Sequence, residues 1–150
     1  MKLKKDRQFQ CKGVTEKVVN ADLDALLKAY DAKYFDNELV GKVDIEWSNR
    51  MTLCAGITVE DDYDPETGQG KSCTIRLSKC ILQYRTYTNL KEILVHEFIH
   101  AWLFLSKTTH ERLDGDDGHG PDFLNKMKEI NTSTGLRMTV YHSFKDEVEL

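Results

Sequence analysis

The sequence predicts an α+β domain in which helices pack on a small, three-stranded, mostly antiparallel sheet. Three observations lead there: a helical apolar stripe near the start, three short strand-like stretches in the middle, and two further helical patterns after them. A length of 150 residues suits one domain with a single core, and 40% hydrophobic against 31% charged residues places the chain among globular proteins.

Residues 1–19 mix basic and polar side chains without a period, which reads as a flexible arm ahead of one domain over residues 20–150. Asn20 is suited to cap a helix reaching Tyr34, whose Leu23, Leu26, Leu27, Tyr30 and Tyr34 share one face. Val43, Ile45 and Trp47 then alternate with Asp44 and Glu46, the signature of a half-buried strand. Cys54 to Val59 is a second strand and Ser72 to Leu77 a third, with Cys73, Ile75 and Leu77 on one face. The turn-forming, acidic stretch from Asp61 to Gly70 makes a hairpin of these two. An exposed edge near Ser72 to Leu77 is expected to hold an extended substrate by strand addition.

The next helix spans about Asn89 to Leu105, capped by Thr88 or Asn89, and is apolar on nearly every side, so it belongs at the centre of the domain. An Asp- and Gly-rich loop follows. Pro121 suits the first position of a last helix, with Phe123, Leu124, Met127 and Ile130 inward and Gly135 as its end. Thr139 to Phe144 reads as a short strand or an extended tail.

No apolar run reaches the roughly 18 residues that a membrane span needs. The basic start is not followed by an apolar signal-peptide core, so an intracellular location is expected. A net charge of −4 argues against strong nonspecific nucleic-acid binding by the chain as a whole. Cys11, Cys54, Cys73 and Cys80 form no C-x-x-C pair, so they read as reduced thiols and not as a zinc ribbon.

The chemistry concentrates in His96-Glu97-Phe98-Ile99-His100. Histidines four apart stand one turn apart on one helical face, where two imidazoles can chelate a zinc ion. Glu97 lies beside them, placed to handle a proton of the zinc-activated water. Two histidines and a glutamate inside so apolar a helix are costly unless something satisfies them, and a metal does so. A catalytic zinc needs a third protein ligand. His119 is favoured, because it sits between Gly118 and Gly120 immediately before the Pro121 helix, which can pack back and aim it at the ion. His110 lies in a polar loop and reads as solvated, and His142 as a core residue or an outer partner of the site. Tyr141 and His142 are the candidates for stabilising an oxyanion. Two look-alikes fail. Gly70-Lys71-Ser72 lacks the glycine a phosphate loop needs at position 65, where Pro65 stands. Asp114 to Gly118 lacks the carboxylate spacing of a calcium loop.

The chain resembles the SprT-like protease domain of the Spartan family of DNA-dependent metalloproteases. The resemblance rests on Val43 to Ser48, Arg50 to Gly56, Ile75 to Ser78, Leu94 to Ala101, Gly118 to Phe123, Ile130-Asn131 and Thr139 to Val148, in order across residues 20–150. It implies a zincin-like minimal metalloprotease core with His96, His100 and His119 on one catalytic zinc and Glu97 as the catalytic glutamate. It further implies a monomeric nuclear, chromatin-associated endopeptidase that cleaves proteins crosslinked to DNA during replication-coupled repair. DNA would be bound mostly through a small zinc-binding subdomain that follows this domain in the family and is absent from the 150 residues. Two rival readings are a chromatin recruitment module with a structural or weakly active zinc site, and a zinc hydrolase of small peptides.

Overall fold

A computed structural model describes residues 18–112 and 118–140. The expected N-terminal arm falls almost wholly outside them, as do Asp114 to Asp117, Tyr141, His142 and most of the expected terminal strand. Thr139 and Val140, which are described, are not in a strand.

The first helix, α1, runs Leu23–Tyr34, and its cap is Asp22 in place of Asn20. The Asp22 carboxylate accepts from the Ala25 backbone N–H at 3.0 Å, satisfying one of the donors that every helix start leaves over. Leu27 and Tyr34 face the core, and so does Asp31, which is fully buried. Its carboxylate accepts from the backbone N–H of Leu39 at 3.1 Å and of Val40 at 2.8 Å. The charge therefore stitches down the turn through Asp36 and Asn37, both of which have positive φ.

Three strands follow: β1 (Val43–Ser48), β2 (Gly56–Tyr63) and β3 (Gly70–Ser78). Their order is β1-β3-β2, with β3 antiparallel to β2 and parallel to β1. The sheet is thus mixed, with one pairing of each kind, where mostly antiparallel pairing was expected. The β2–β3 hairpin forms as the sequence suggested, but β2 continues through Asp61, Asp62 and Tyr63. An edge strand exposes its outer half to water, so charges are tolerated there and even protect the edge. The expectation of a free edge at Ser72 to Leu77 is overturned: β3 is bonded on both sides, and the strand edge beside the central helix belongs to β2.

A single turn of helix, α2 (Lys79–Leu82), leads to α3 (Tyr87–Ser106), capped by Thr86, three residues before the expected start. The 20-residue α3 buries twelve side chains, consistent with its nearly all-round apolar surface. Phe98 packs edge-on against Phe35 at 6.4 Å between ring centroids, and Phe35 also meets Trp102 at 5.8 Å. No helix among the described residues is long and apolar enough to cross a membrane.

The last helix, α4 (Pro121–Thr134), begins with proline at its first turn and ends at Gly135 in the left-handed conformation, φ 82°. Phe123 and Ile130 fix it to the core. Near its end, the Asn131 amide accepts from Met138 N–H at 2.9 Å and donates to Met138 O at 3.0 Å. This two-way clamp folds the chain after α4 back towards α3.

The tip of the β2–β3 hairpin is fastened to the last turn of α3 and to the segment after it. Thr109 N–H donates to Thr67 O at 2.9 Å, and the Gln69 side chain donates to Leu105 O at 2.9 Å. A Cβ at Gly70 would stand 2.3 Å from the Phe104 ring, so only glycine allows the strand to lie so close to α3.

Candidate metal centre

Helix α3 places His96 and His100 on one face, as the four-residue spacing requires. His119 reaches them from the turn that starts α4. Its Nε2 lies 3.2 Å from His100 Nε2 and 3.4 Å from His96 Nε2. The three donor atoms all fall within 4.8 Å of one another, a spacing at which they can hold one metal ion. Phe123, one turn after His119, packs against all three imidazoles, with ring centroids 4.7 to 4.9 Å away. The apolar ring restricts the rotamers of the histidines and leaves their nitrogens facing each other.

The chemistry of the donor set fits a metal. His96 Nδ1 lies 2.8 Å from the carbonyl oxygen of Thr139. A carbonyl only accepts, so Nδ1 carries the proton and Nε2 presents its lone pair to the centre of the cluster. The Asn131 clamp holds the chain one residue away at Met138, and thereby holds that carbonyl in place.

Glu97 sits beside the cluster and is almost fully buried. Thr58, on β2, donates its hydroxyl to Glu97 Oε1 at 2.8 Å, while Oε2 bonds to no described residue. Burial pushes the Glu97 carboxyl up to about 7, and the Thr58 bond lowers it only in part. A carboxyl poised near neutrality can both take and return a proton at physiological pH.

A cleft of about 300 Å³ opens on this group. Glu97 and His100 of α3 and Thr58 of β2 line it, as do Glu60, Phe104 and Arg112. Phe104 stands seven residues, roughly 10 Å, along α3 from Glu97, and with Arg112 stacked on it marks the far end. Polar reactive groups thus stand at one end of a partly apolar groove beside a strand edge.

Of the residues singled out from sequence, His96, Glu97, His100 and His119 come together. His110 is exposed on the segment after α3, as its polar surroundings suggested. Tyr141 and His142 lie outside the described residues. Cys54, Cys73 and Cys80 are free thiols, and burial pushes Cys73 up to about 12. The sequence reading missed Thr58, Thr139, Phe123 and Arg112. Phe123 carried a signal as the first inward residue after His119. Thr139 contributes a backbone carbonyl, which any residue supplies.

Comparison with known proteins bears directly on this arrangement. Residues 23–142 match the SprT-like family, a stretch that contains every residue of the cluster. This chain belongs to the SprT-like family. It is 44% identical over 128 residues to the human DNA-dependent metalloprotease SPRTN, and 42% identical over 131 residues to SPRTN of Danio rerio. It is 43% identical over 129 residues to the DNA-dependent metalloprotease dvc-1 of Caenorhabditis elegans. These alignments cover 85 to 87% of this SprT-like chain but only 19 to 33% of the relatives, so it spans a third of their length or less.

Proposed function

We propose that this SprT-like domain is a zinc-dependent endopeptidase, and that its substrates are proteins crosslinked to DNA. The observation that carries the reading is the convergence of the His96, His100 and His119 Nε2 atoms beside a buried Glu97, with His100 and Glu97 lining a cleft beside β2. Three imidazoles are the ligand number of a catalytic zinc, which keeps one position open. When bound, zinc supplies Lewis acidity towards a carbonyl and an activated water.

The chain's own residues do the rest. Glu97 takes a proton during attack on the peptide carbonyl and returns it to the departing amine. Thr58 orients its carboxylate through Oε1, leaving Oε2 for the proton. The Thr139 carbonyl keeps His96 in the tautomer that offers Nε2. An extended polypeptide is held along β2, whose Thr58 and Glu60 line the cleft. The preference for proteins on DNA, and with it a chromatin-associated place in the nucleus, is supported by the DNA-dependent metalloproteases that the chain resembles.

The test is zinc content by mass spectrometry together with cleavage of a DNA-crosslinked protein and of a short free peptide. Stoichiometric zinc and cleavage that disappears in Glu97→Gln while zinc stays bound are expected. A well-folded protein without zinc overturns the reading. Retained zinc without proteolysis favours a recruitment module, and equal cleavage of free peptide and crosslinked protein favours a simple zinc peptidase.

A further inference from the structure

The far end of the cleft is organised around one side chain. Arg112 Nη2 donates to Gly68 O in the hairpin turn at 2.7 Å, and its Nε donates to Lys107 O after α3 at 3.3 Å. Its Nη1 lies 3.9 Å from the Glu60 carboxylate on β2. The guanidinium also stands over the Phe104 ring of α3, 5.3 Å from its centroid. One planar group therefore touches the hairpin turn, the edge strand, the central helix and the segment after it.

No other cation type could make this set. The guanidinium offers five donors in a rigid fork and keeps its charge when partly buried, whereas an ammonium is a single point. The backbone around it is fitted to the same closure. Gly68 adopts φ +77°, and a Cβ there would fall 1.7 Å from the Thr109 hydroxyl, so the turn is pressed directly on the segment that bears Arg112.

We propose that Arg112 is a positioning residue for substrate: it fixes the hairpin turn and β2 against α3, and so sets the width of the cleft in which the polypeptide lies. It touches none of the three histidines in the contacts above and acts on binding, not on bond cleavage. This inference rests on the cleft being the substrate site of a peptidase.

The test compares wild type, Arg112→Ala and Arg112→Lys in the zinc-loaded protein, reading zinc content, kcat and KM on one protein substrate. It also reads binding of a fluorescent substrate peptide in the Glu97→Gln background, where no cleavage occurs. With two hydrogen bonds from a charged group removed, KM and the peptide Kd should rise roughly tenfold in Arg112→Ala, with kcat within about twofold and zinc unchanged. Arg112→Lys should fall between the two. Unchanged KM and Kd, or a loss confined to kcat, overturns the proposal. If Arg112→Ala does not fold, Gln69→Ala loosens the same turn through the lost bond to Leu105 O, and the same rise in KM is required of it. If wild type itself cleaves nothing, the peptidase reading fails, and the peptide-binding comparison still decides whether Arg112 shapes the cleft.

Discussion

Thr58 and Glu97 join the edge strand to the central helix: the Thr58 hydroxyl lies 2.8 Å from Glu97 Oε1 and 3.2 Å from the Glu97 backbone oxygen. The bond selects one carboxylate oxygen and leaves the other, Oε2, buried without a partner among the described residues. It also ties the orientation of Glu97, the proposed proton carrier, to the strand along which substrate is proposed to lie.

Thr58→Val keeps the side chain's shape and removes that donor. The carboxylate loses a bond that favours its charged form, so its proton affinity rises further. The acid limb of the kcat/KM profile is expected to move to higher pH, and kcat to fall by about tenfold, with zinc retained. A stopped assay across pH 5 to 9 measures both, and a profile superimposable on wild type would refute the role of Thr58.

Glu97 also makes the stability of the zinc-free protein depend on pH. Its folded value, raised by burial to about 7 from 4.5, means that the folded state binds the proton more tightly than the unfolded chain. For this group stability is greatest below the unfolded value, declines as pH rises through the window between the two, and levels off above about 7. The loss is at most roughly 3–4 kcal/mol at about 1.36 kcal/mol per pKa unit. Urea midpoints in chelator between pH 4 and 8 should show wild type losing ground to Glu97→Gln over that window. Parallel curves would mean that Glu97 is not desolvated.

His119 and His110 provide a paired test of the metal centre. His119→Ala removes a donor atom and should weaken zinc binding by more than the roughly 10- to 100-fold of losing an outer partner. His110→Ala, at an exposed position, should leave it unchanged. Competition with a chromophoric chelator resolves the two. Equal affinity in both variants would remove His119 from the site.

Gly70 is a steric position. An added methyl group would have to displace the Phe104 ring, which is buried and fixed by its neighbours. Gly70→Ala is expected to cost about 1–3 kcal/mol, the range of overpacking. Thermal unfolding measures it, and no change in Tm would show that Phe104 has room to move.

Much of this fold and site is legible in the sequence, for identifiable reasons. The α3 helix announces itself because His96, Glu97 and His100 interrupt an otherwise apolar segment. His119 is legible through its flanking glycines and Pro121, which fix where the helix starts. What stays hidden depends on pairing between distant segments. The parallel register that matches Val43 to Cys73 puts β3 in the middle of the sheet, and no local pattern in either strand encodes it. Thr58 looks like any strand threonine until β2 is laid against α3. Asp61 and Asp62 look like turn residues because their strand faces water.

The placement of α4 has a kinetic consequence. The proposed ligand His119 stands just before its N-cap Gly120, and through Asn131 its last turn holds the carbonyl that orients His96. One docked helix thus governs two of the three donors. Undocking it would release a ligand and free a second imidazole to swing in the same event, so dissociation becomes a sub-global opening and not a stepwise loss. The rate at which a strong chelator strips the domain should then reach a plateau as chelator is added, and that plateau is the opening rate of the helix.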